Sequence, residues 1–119
     1  MYKIAVVDDE NEILSMISRF LGRSGKYEIV TYSNPVVAVS SIDNSYDLVL
    51  MDIMMPQMNG LDALEKIMDK NPNQKVVMMT AYSTLDKVLK SHKTGAVHYL
   101  MKPFDSLQAL EDKIKEVLS

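Results

Sequence analysis

The sequence predicts an α/β domain, a central parallel sheet sandwiched between two layers of helix. Three observations carry that prediction. Short apolar runs without polar alternation recur at Ile4-Ala5-Val6-Val7, Leu48-Val49-Leu50-Met51, Val76-Val77-Met78-Met79 and Val97 to Met101, as in strands buried on both faces of a parallel sheet. Between the runs lie segments with apolar residues at helical spacing. The alternation of strand and helix repeats about five times, and parallel neighbours need such crossovers, with helices on both faces.

Each element has its own signature. Ile4 to Val7 forms the first strand and stops on Asp8-Asp9-Glu10; Ile13, Leu14, Ile17, Phe20 and Leu21 then mark one helix face. Asp9 with Glu12 reads as a capping box, and Gly22 and Gly25 close the helix. Tyr27 to Tyr32, rich in β-branched and aromatic residues, is the second strand. Asn34-Pro35 starts the second helix, which runs to Ile42 despite the poor helix propensity of its valines.

The third strand, Leu48 to Met51, delivers Asp52 into a loop marked by Pro56, Asn59 and Gly60. Leu61, Leu64, Ile67 and Met68 define the third helix, which ends before Asn71-Pro72. Val76 to Met79 stops on Thr80. Ser83 caps a fourth helix that buries Leu85, Val88 and Leu89 and closes at Gly95. Val97 to Met101 stops on Lys102-Pro103, and Asp105 with Gln108 forms a second capping box before Leu107, Leu110, Ile114 and Val117 of the fifth helix.

Composition narrows the function classes. With 119 residues, 47% of them hydrophobic, the chain suits one packed domain spanning residues 1–119. The net charge of −3 and the lack of a dense basic patch disfavour direct nucleic-acid binding. The absence of cysteine excludes a disulfide framework and is compatible with a cytoplasmic protein. No run is long enough to span a membrane, and no signal peptide precedes the first strand. The ten methionines lie mostly in apolar runs, as core filler.

In a parallel sheet all carboxyl ends share one edge, the edge where open α/β folds bind ligands. Here they deliver Asp8 and Asp9, then Asp52, Thr80 and Lys102, while the second strand ends on the uncharged Tyr32-Ser33. Taken singly, Asp9 reads as a helix cap, Asp8 as a loop acid, Thr80 as a turn cap and Lys102 as a surface lysine. Four coincidences at four strand ends are a weaker account than one shared site. Neighbouring carboxylates repel and raise at least one pKa. Hard oxygen donors select Mg²⁺ over softer metals. An ammonium and a hydroxyl beside such a cation match phosphoryl oxygens, and a carboxylate can itself be the nucleophile, forming an aspartyl-phosphate. Asp52, the central acid, is the candidate acceptor.

These residues resemble the receiver domain of two-component response regulators. The resemblance covers essentially the whole chain and is carried by Val7-Asp8-Asp9-Glu10, by Leu50-Met51-Asp52-Ile53-Met54-Met55-Pro56-Gln57-Met58-Asn59-Gly60, by Met79-Thr80-Ala81 and by Tyr99-Leu100-Met101-Lys102-Pro103-Phe104. It implies a doubly wound, flavodoxin-like (βα)5 sandwich with strand order 2-1-3-4-5. It assigns Asp52 as phospho-acceptor and Asp8, Asp9, Asp52 and the backbone carbonyl of Met54 as ligands for Mg²⁺, with Mn²⁺ as a substitute. Lys102 and Thr80 match the groups that contact the phosphoryl oxygens. Lys102-Pro103 matches a cis peptide, an isomer accessible chiefly before proline, and Tyr99 matches a switch aromatic.

The implied mechanism is phosphoryl transfer from a sensor histidine kinase or phosphotransfer protein to Asp52. The added charge, about −2 by analogy with other phosphorylated side chains, draws Thr80 inward and lets Tyr99 rotate. The face built by the fourth helix, fifth strand and fifth helix then changes its preference for a downstream output partner. The protein is no enzyme toward other substrates; it catalyses only its own phosphorylation and dephosphorylation. Met54 and Tyr82 match positions that tune phosphate lifetime. Met54 offers no strong hydrogen bond to an attacking water and Tyr82 is bulky, so slow self-dephosphorylation is expected.

Other readings compete. A phosphohydrolase of the haloacid-dehalogenase type uses an Asp nucleophile followed two residues on by a second acid, after the first strand; here position 54 is Met, Asp8 is followed by Asp9-Glu10, and a cap domain is lacking. A receiver-shaped adaptor without phosphorylation would not need Asp52, Thr80 and Lys102 together. His92 and His98 read as structural, and Phe104 as packing its loop. The stretch Met79-Thr80-Ala81-Tyr82 with Leu85-Asp86 is most similar to single-domain chemotaxis and sporulation-phosphorelay receivers. A start at Met1 and an end just past the fifth helix favour a stand-alone regulator.

Overall fold

A computed structural model describes residues 1–81, 98–102, 104 and 106–119. Their elements are β1 (Tyr2–Val7), α1 (Asn11–Gly22), β2 (Tyr27–Tyr32), α2 (Pro35–Ser41), β3 (Leu48–Asp52), α3 (Gly60–Lys70), β4 (Val76–Ala81), β5 (His98–Lys102) and a C-terminal helix, α4 (Leu107–Leu118). The five strands form one sheet in the order β2-β1-β3-β4-β5, and every neighbouring pair is parallel. The doubly wound, flavodoxin-like order expected above is therefore the order observed. The helix expected over residues 83–95, with its Ser83 cap, lies outside the described residues, as do His92, Tyr82 and Pro103.

The apolar runs lack polar alternation because both sheet faces are covered. Side chains of successive strand residues point to opposite faces. Ala5, Val7, Val49, Met51, Val76 and Met78 pack with α2 and α3 through Ala38, Ile42, Leu64 and Ile67. Ile4, Val6, Leu48, Leu50, Val77 and Met79 pack with α1 and α4 through Leu14, Ile17, Leu21, Leu110 and Ile114. β3 is buried along its whole length, Asp52 included.

Helix starts follow local capping chemistry, with two departures from expectation. Asn34 caps α2 by accepting the Val36 N–H at 2.9 Å, with Pro35 in the first turn. That start and the burial of Ala38 and Ile42 hold a helix in which Val36 and Val37 are exposed. By contrast, Asp9 and Glu12 do not form a capping box. α1 begins at Asn11 with Glu10 at the cap position and no side-chain cap bond, so Asp9 sits one residue too early to reach the third amide of the helix. In α4 the cap is Ser106, whose hydroxyl accepts the Ala109 N–H at 2.9 Å. Gln108 then falls at the second helical position and donates along the helix to Asp112 at 2.9 Å, not back to a cap.

Candidate functional site

The sheet places its switch point between β1 and β3, because the chain leaves β1 toward β2 on one side and returns to β3 on the other. A crevice opens at the carboxyl ends of such a pair. Asp8 follows β1 and Asp52 ends β3, so the two acids flank that crevice. Thr80 is one register step further along β4, and Lys102 is the last residue of β5, paired with Ala81.

Side-chain geometry draws these ends together. The Lys102 ammonium donates to Asp8 Oδ2 at 2.5 Å and to Asp52 Oδ1 at 3.3 Å, and Glu10 Oε1 lies 3.7 Å away. Asp8 is fully buried, Asp52 is 5% exposed and Thr80 is 1% exposed. Asp8 is fixed from both sides: its N–H donates to the Tyr32 carbonyl at 3.1 Å and its Oδ1 accepts the Glu10 N–H at 2.9 Å. The site thus tethers residues 8, 52 and 102, which only the sheet brings together.

Electrostatics follow from that burial. Burial pushes the Asp52 carboxyl up to about 6, helped by the negative charge of Asp8 and only partly opposed by Lys102. Asp8 is raised mainly by burial, against the pull of its Lys102 hydrogen bond. Burial alone would lower Lys102, but its bond to Asp8 and the charge of Asp52 outweigh it and raise the ammonium. One ammonium among three acids leaves an excess of negative charge in a partly dry crevice.

The donor set is all oxygen. Carboxylate oxygens of Asp8, Asp9 and Glu10 lie within 4.8 Å of one another, close enough to share a cation. Asp52 stands outside that grouping and is joined to it through Lys102. Such hard donors fit Mg²⁺ or Mn²⁺ and no softer metal. Glu10, given no role from sequence, is the addition; its place at the α1 cap turns it toward Lys102.

The loop after Asp52 is closed upon itself. Ile53 N–H donates to the Met79 carbonyl at 3.2 Å, and Gly60 N–H returns to the Ile53 carbonyl at 2.8 Å. Asn59 caps α3 by accepting the Leu61 N–H at 2.7 Å, a cap that the sequence showed only as loop composition. Met54, at the rim of this loop, is 54% exposed, and Tyr99 on β5 is 41% exposed. Phe104 is half-buried against the α1–α4 side of the core, as expected of a packing residue.

A five-stranded parallel sheet in the order β2-β1-β3-β4-β5, with an acidic crevice at its switch point, defines a doubly wound, flavodoxin-like α/β domain. Comparison with known proteins makes the class specific. The family model described as the response regulator receiver domain matches residues 4–115. The chain is 36% identical over 119 residues to the chemotaxis protein CheY of Listeria monocytogenes, covering 97% of this chain and 100% of that protein. It is 38% identical over 108 residues to the transcriptional regulatory protein ZraR of Klebsiella oxytoca, covering 88% of this chain but only 24% of ZraR. Among solved structures, a CheY-like receiver domain protein from Methanospirillum hungatei superimposes with a TM-score of 0.88 at 31% identity, over 99% of this chain and 94% of that one. The chain belongs to the response regulator receiver domain family of two-component systems.

Proposed function

We propose that Asp52 accepts a phosphoryl group from a phosphohistidine on a sensor histidine kinase or phosphotransfer protein. The observation that carries this reading is the Lys102 ammonium shared between Asp8 and Asp52 at the switch point. An Asp52 oxygen attacks phosphorus; the P–N bond breaks, and the electron pair returns to the donor imidazole. Asp52 suits the role because it ends a fully buried strand and so presents one oriented carboxylate. Lys102 and the Thr80 hydroxyl would take up phosphoryl oxygens. Asp8, Asp9, Asp52 and the Met54 carbonyl would hold Mg²⁺, with Glu10 near enough to contribute. When bound, that cation neutralises the acids and the incoming phosphoryl charge.

The donor must reach Asp52 from outside. A groove of about 590 Å³ leads away from Glu10 and Lys102 between Ile13 and Met16 of α1 and Phe104 and Leu107 near α4. Its apolar walls and its continuity with the acceptor site suit a donor helix that presents a histidine at the groove's end. After transfer, Thr80 closes on the phosphoryl group, Tyr99 turns inward, and the face that includes β5 and α4 selects an output partner. The lifetime of that state depends on Met54 and Tyr82. The reading places the chain in the cytoplasm with the catalytic part of its kinase, in contact with neither nucleic acid nor membrane. Among the described residues no helix is long and apolar enough to cross a membrane.

Incubation with acetyl phosphate and Mg²⁺, followed by intact mass measurement, tests the proposal. The expected product carries one added phosphoryl group, absent when Asp52→Asn is used or the metal is chelated. No added mass under these conditions would favour a non-phosphorylated adaptor. Sustained turnover of a generic phosphate ester would favour the phosphohydrolase reading instead.

A further inference from the structure

The chain offers an oxidant few kinds of target. It has no cysteine and no tryptophan but ten methionines, so the thioether is its most readily oxidised side chain. Burial divides the ten sharply. Met51, Met55, Met78 and Met79 are buried in the core, and four more are half-buried. Met1, at 83%, and Met54, at 54%, are the two exposed ones. Met1 precedes β1, at the end of the strands away from Asp52. Met54 alone is both open to an oxidant and close in the chain to the candidate acceptor.

The loop confines that exposure to one side chain. Ile53 before Met54 is fully buried and Met55 after it is 7% exposed; both belong to the core that packs against α2 and α3. The Ile53 N–H donates to the Met79 carbonyl, and the Ile53 carbonyl accepts the Gly60 N–H. Met54 is thus carried at a fixed place two residues past Asp52, between two anchored neighbours. Oxygen added to its sulfur changes local polarity without breaking core packing. A sulfoxide on Met51 or Met79 would instead bury a new polar group. The sulfoxide oxygen is a strong acceptor where the thioether was a weak one.

We propose that Met54 is a peroxide-sensitive modification site whose oxidation shortens the life of the phosphorylated state. The inference rests on Asp52 as phospho-acceptor. A sulfur lone pair attacks one oxygen of hydrogen peroxide and the O–O bond breaks. The departing hydroxide takes the proton left on the transferred oxygen and leaves as water. The thioether is oxidised by two electrons to the sulfoxide, and the peroxide is reduced. The new oxygen then gives a water approaching phosphorylated Asp52 an acceptor that the thioether does not supply.

Limited treatment with hydrogen peroxide, followed by peptide mass mapping, reads the modification itself. One added oxygen on Met54 is expected well before the half-buried methionines react, with Met1 as the only comparable site. After peroxide is removed, labelling with acetyl phosphate and Mg²⁺ and decay of the phosphorylated mass read the consequence. Decay should be several-fold faster in the oxidised protein. Met54→Leu should decay at the same rate with and without peroxide treatment, although its Met1 is oxidised equally. Three results overturn the inference alone: Met54 oxidised no faster than the half-buried methionines, decay unchanged by oxidation, or an equal effect of peroxide in Met54→Leu. Failure of the untreated protein to take up phosphate overturns the reading of Asp52, and this inference with it.

Discussion

Gly60 is pressed against the backbone of Asp52: a β-carbon at position 60 would fall 2.0 Å from the Asp52 carbonyl oxygen and 2.7 Å from Ile53 Cα. Both are backbone atoms, so neither can swing aside as a side-chain tip could. Gly60→Ala must therefore displace the end of β3, the start of α3, or both. The expected cost is about 1–3 kcal/mol, as for overpacking a dense core, with slower phosphorylation because Asp52 itself is moved. Urea denaturation measures the first effect and acetyl phosphate labelling the second. A variant within about 0.5 kcal/mol of the parent, the range of ordinary surface changes, would show that the loop relaxes freely.

Lys102 is the counterion on which two buried acids depend. Lys102→Met keeps much of the stem but strands Asp8 and Asp52 without their ammonium. Removing one partner of a buried pair costs about 3–5 kcal/mol, and the lower end applies here because the Lys102 side chain keeps 15% exposure. Mg²⁺ should return a larger share of stability to this variant than to the parent, since no ammonium competes for the acids. Thermal unfolding with and without Mg²⁺ reads this directly. An equal Mg²⁺ increment in both proteins would mean that lysine and metal do not share the site.

Asp52 carries a pH signature. Its carboxyl is raised from 3.8 to about 6 in the folded chain, so the native state holds a proton that the unfolded state has lost. Between about pH 4 and 6, stability therefore falls as pH rises, and it stays lowered above that window. The contribution at neutral pH is on the order of 3 kcal/mol against folding in the absence of metal. Asp52→Asn should remove this component, giving a metal-free protein more stable than the parent at pH 7.5 and nearer to it at pH 4. Paired denaturation curves at the two pH values check the sign.

How much of this was legible in the sequence depended on the range of the interaction. Asp8, Asp52, Thr80 and Lys102 each stand where an apolar run stops, and a parallel sheet converts four local stops into one shared edge. Glu10 carries no local signal of its own because its role depends on where α1 starts; once Asn11 is the first helical residue, Glu10 takes the cap position within reach of Lys102. The same one-residue shift defeated the Asp9–Glu12 capping box. Gly60 read as turn composition because close approach to Asp52 is a tertiary property. The hydroxyl pair of Tyr32 and Tyr46, 2.7 Å apart, joins the end of β2 to the loop before β3 and leaves no periodic trace in the chain.

Under the proposed phosphorylation of Asp52, Met54 would tune the lifetime of the phosphorylated state. It lies two residues beyond Asp52, is 54% exposed, and ends in a thioether that accepts hydrogen bonds only weakly. A water approaching phosphorylated Asp52 from the loop side meets no strong side-chain partner on this residue. Met54→Asn places a carboxamide there, able to accept from that water and orient it toward phosphorus. Self-dephosphorylation should accelerate about tenfold, which corresponds to about 1.4 kcal/mol of the barrier. The fold should be little changed, because the residue is largely outside the core. Decay of the phosphorylated mass in excess Mg²⁺, after removal of the phosphodonor, gives the rate for both proteins. An unchanged or longer lifetime in Met54→Asn would show that water reaches the phosphoryl group by a path that this side chain does not border.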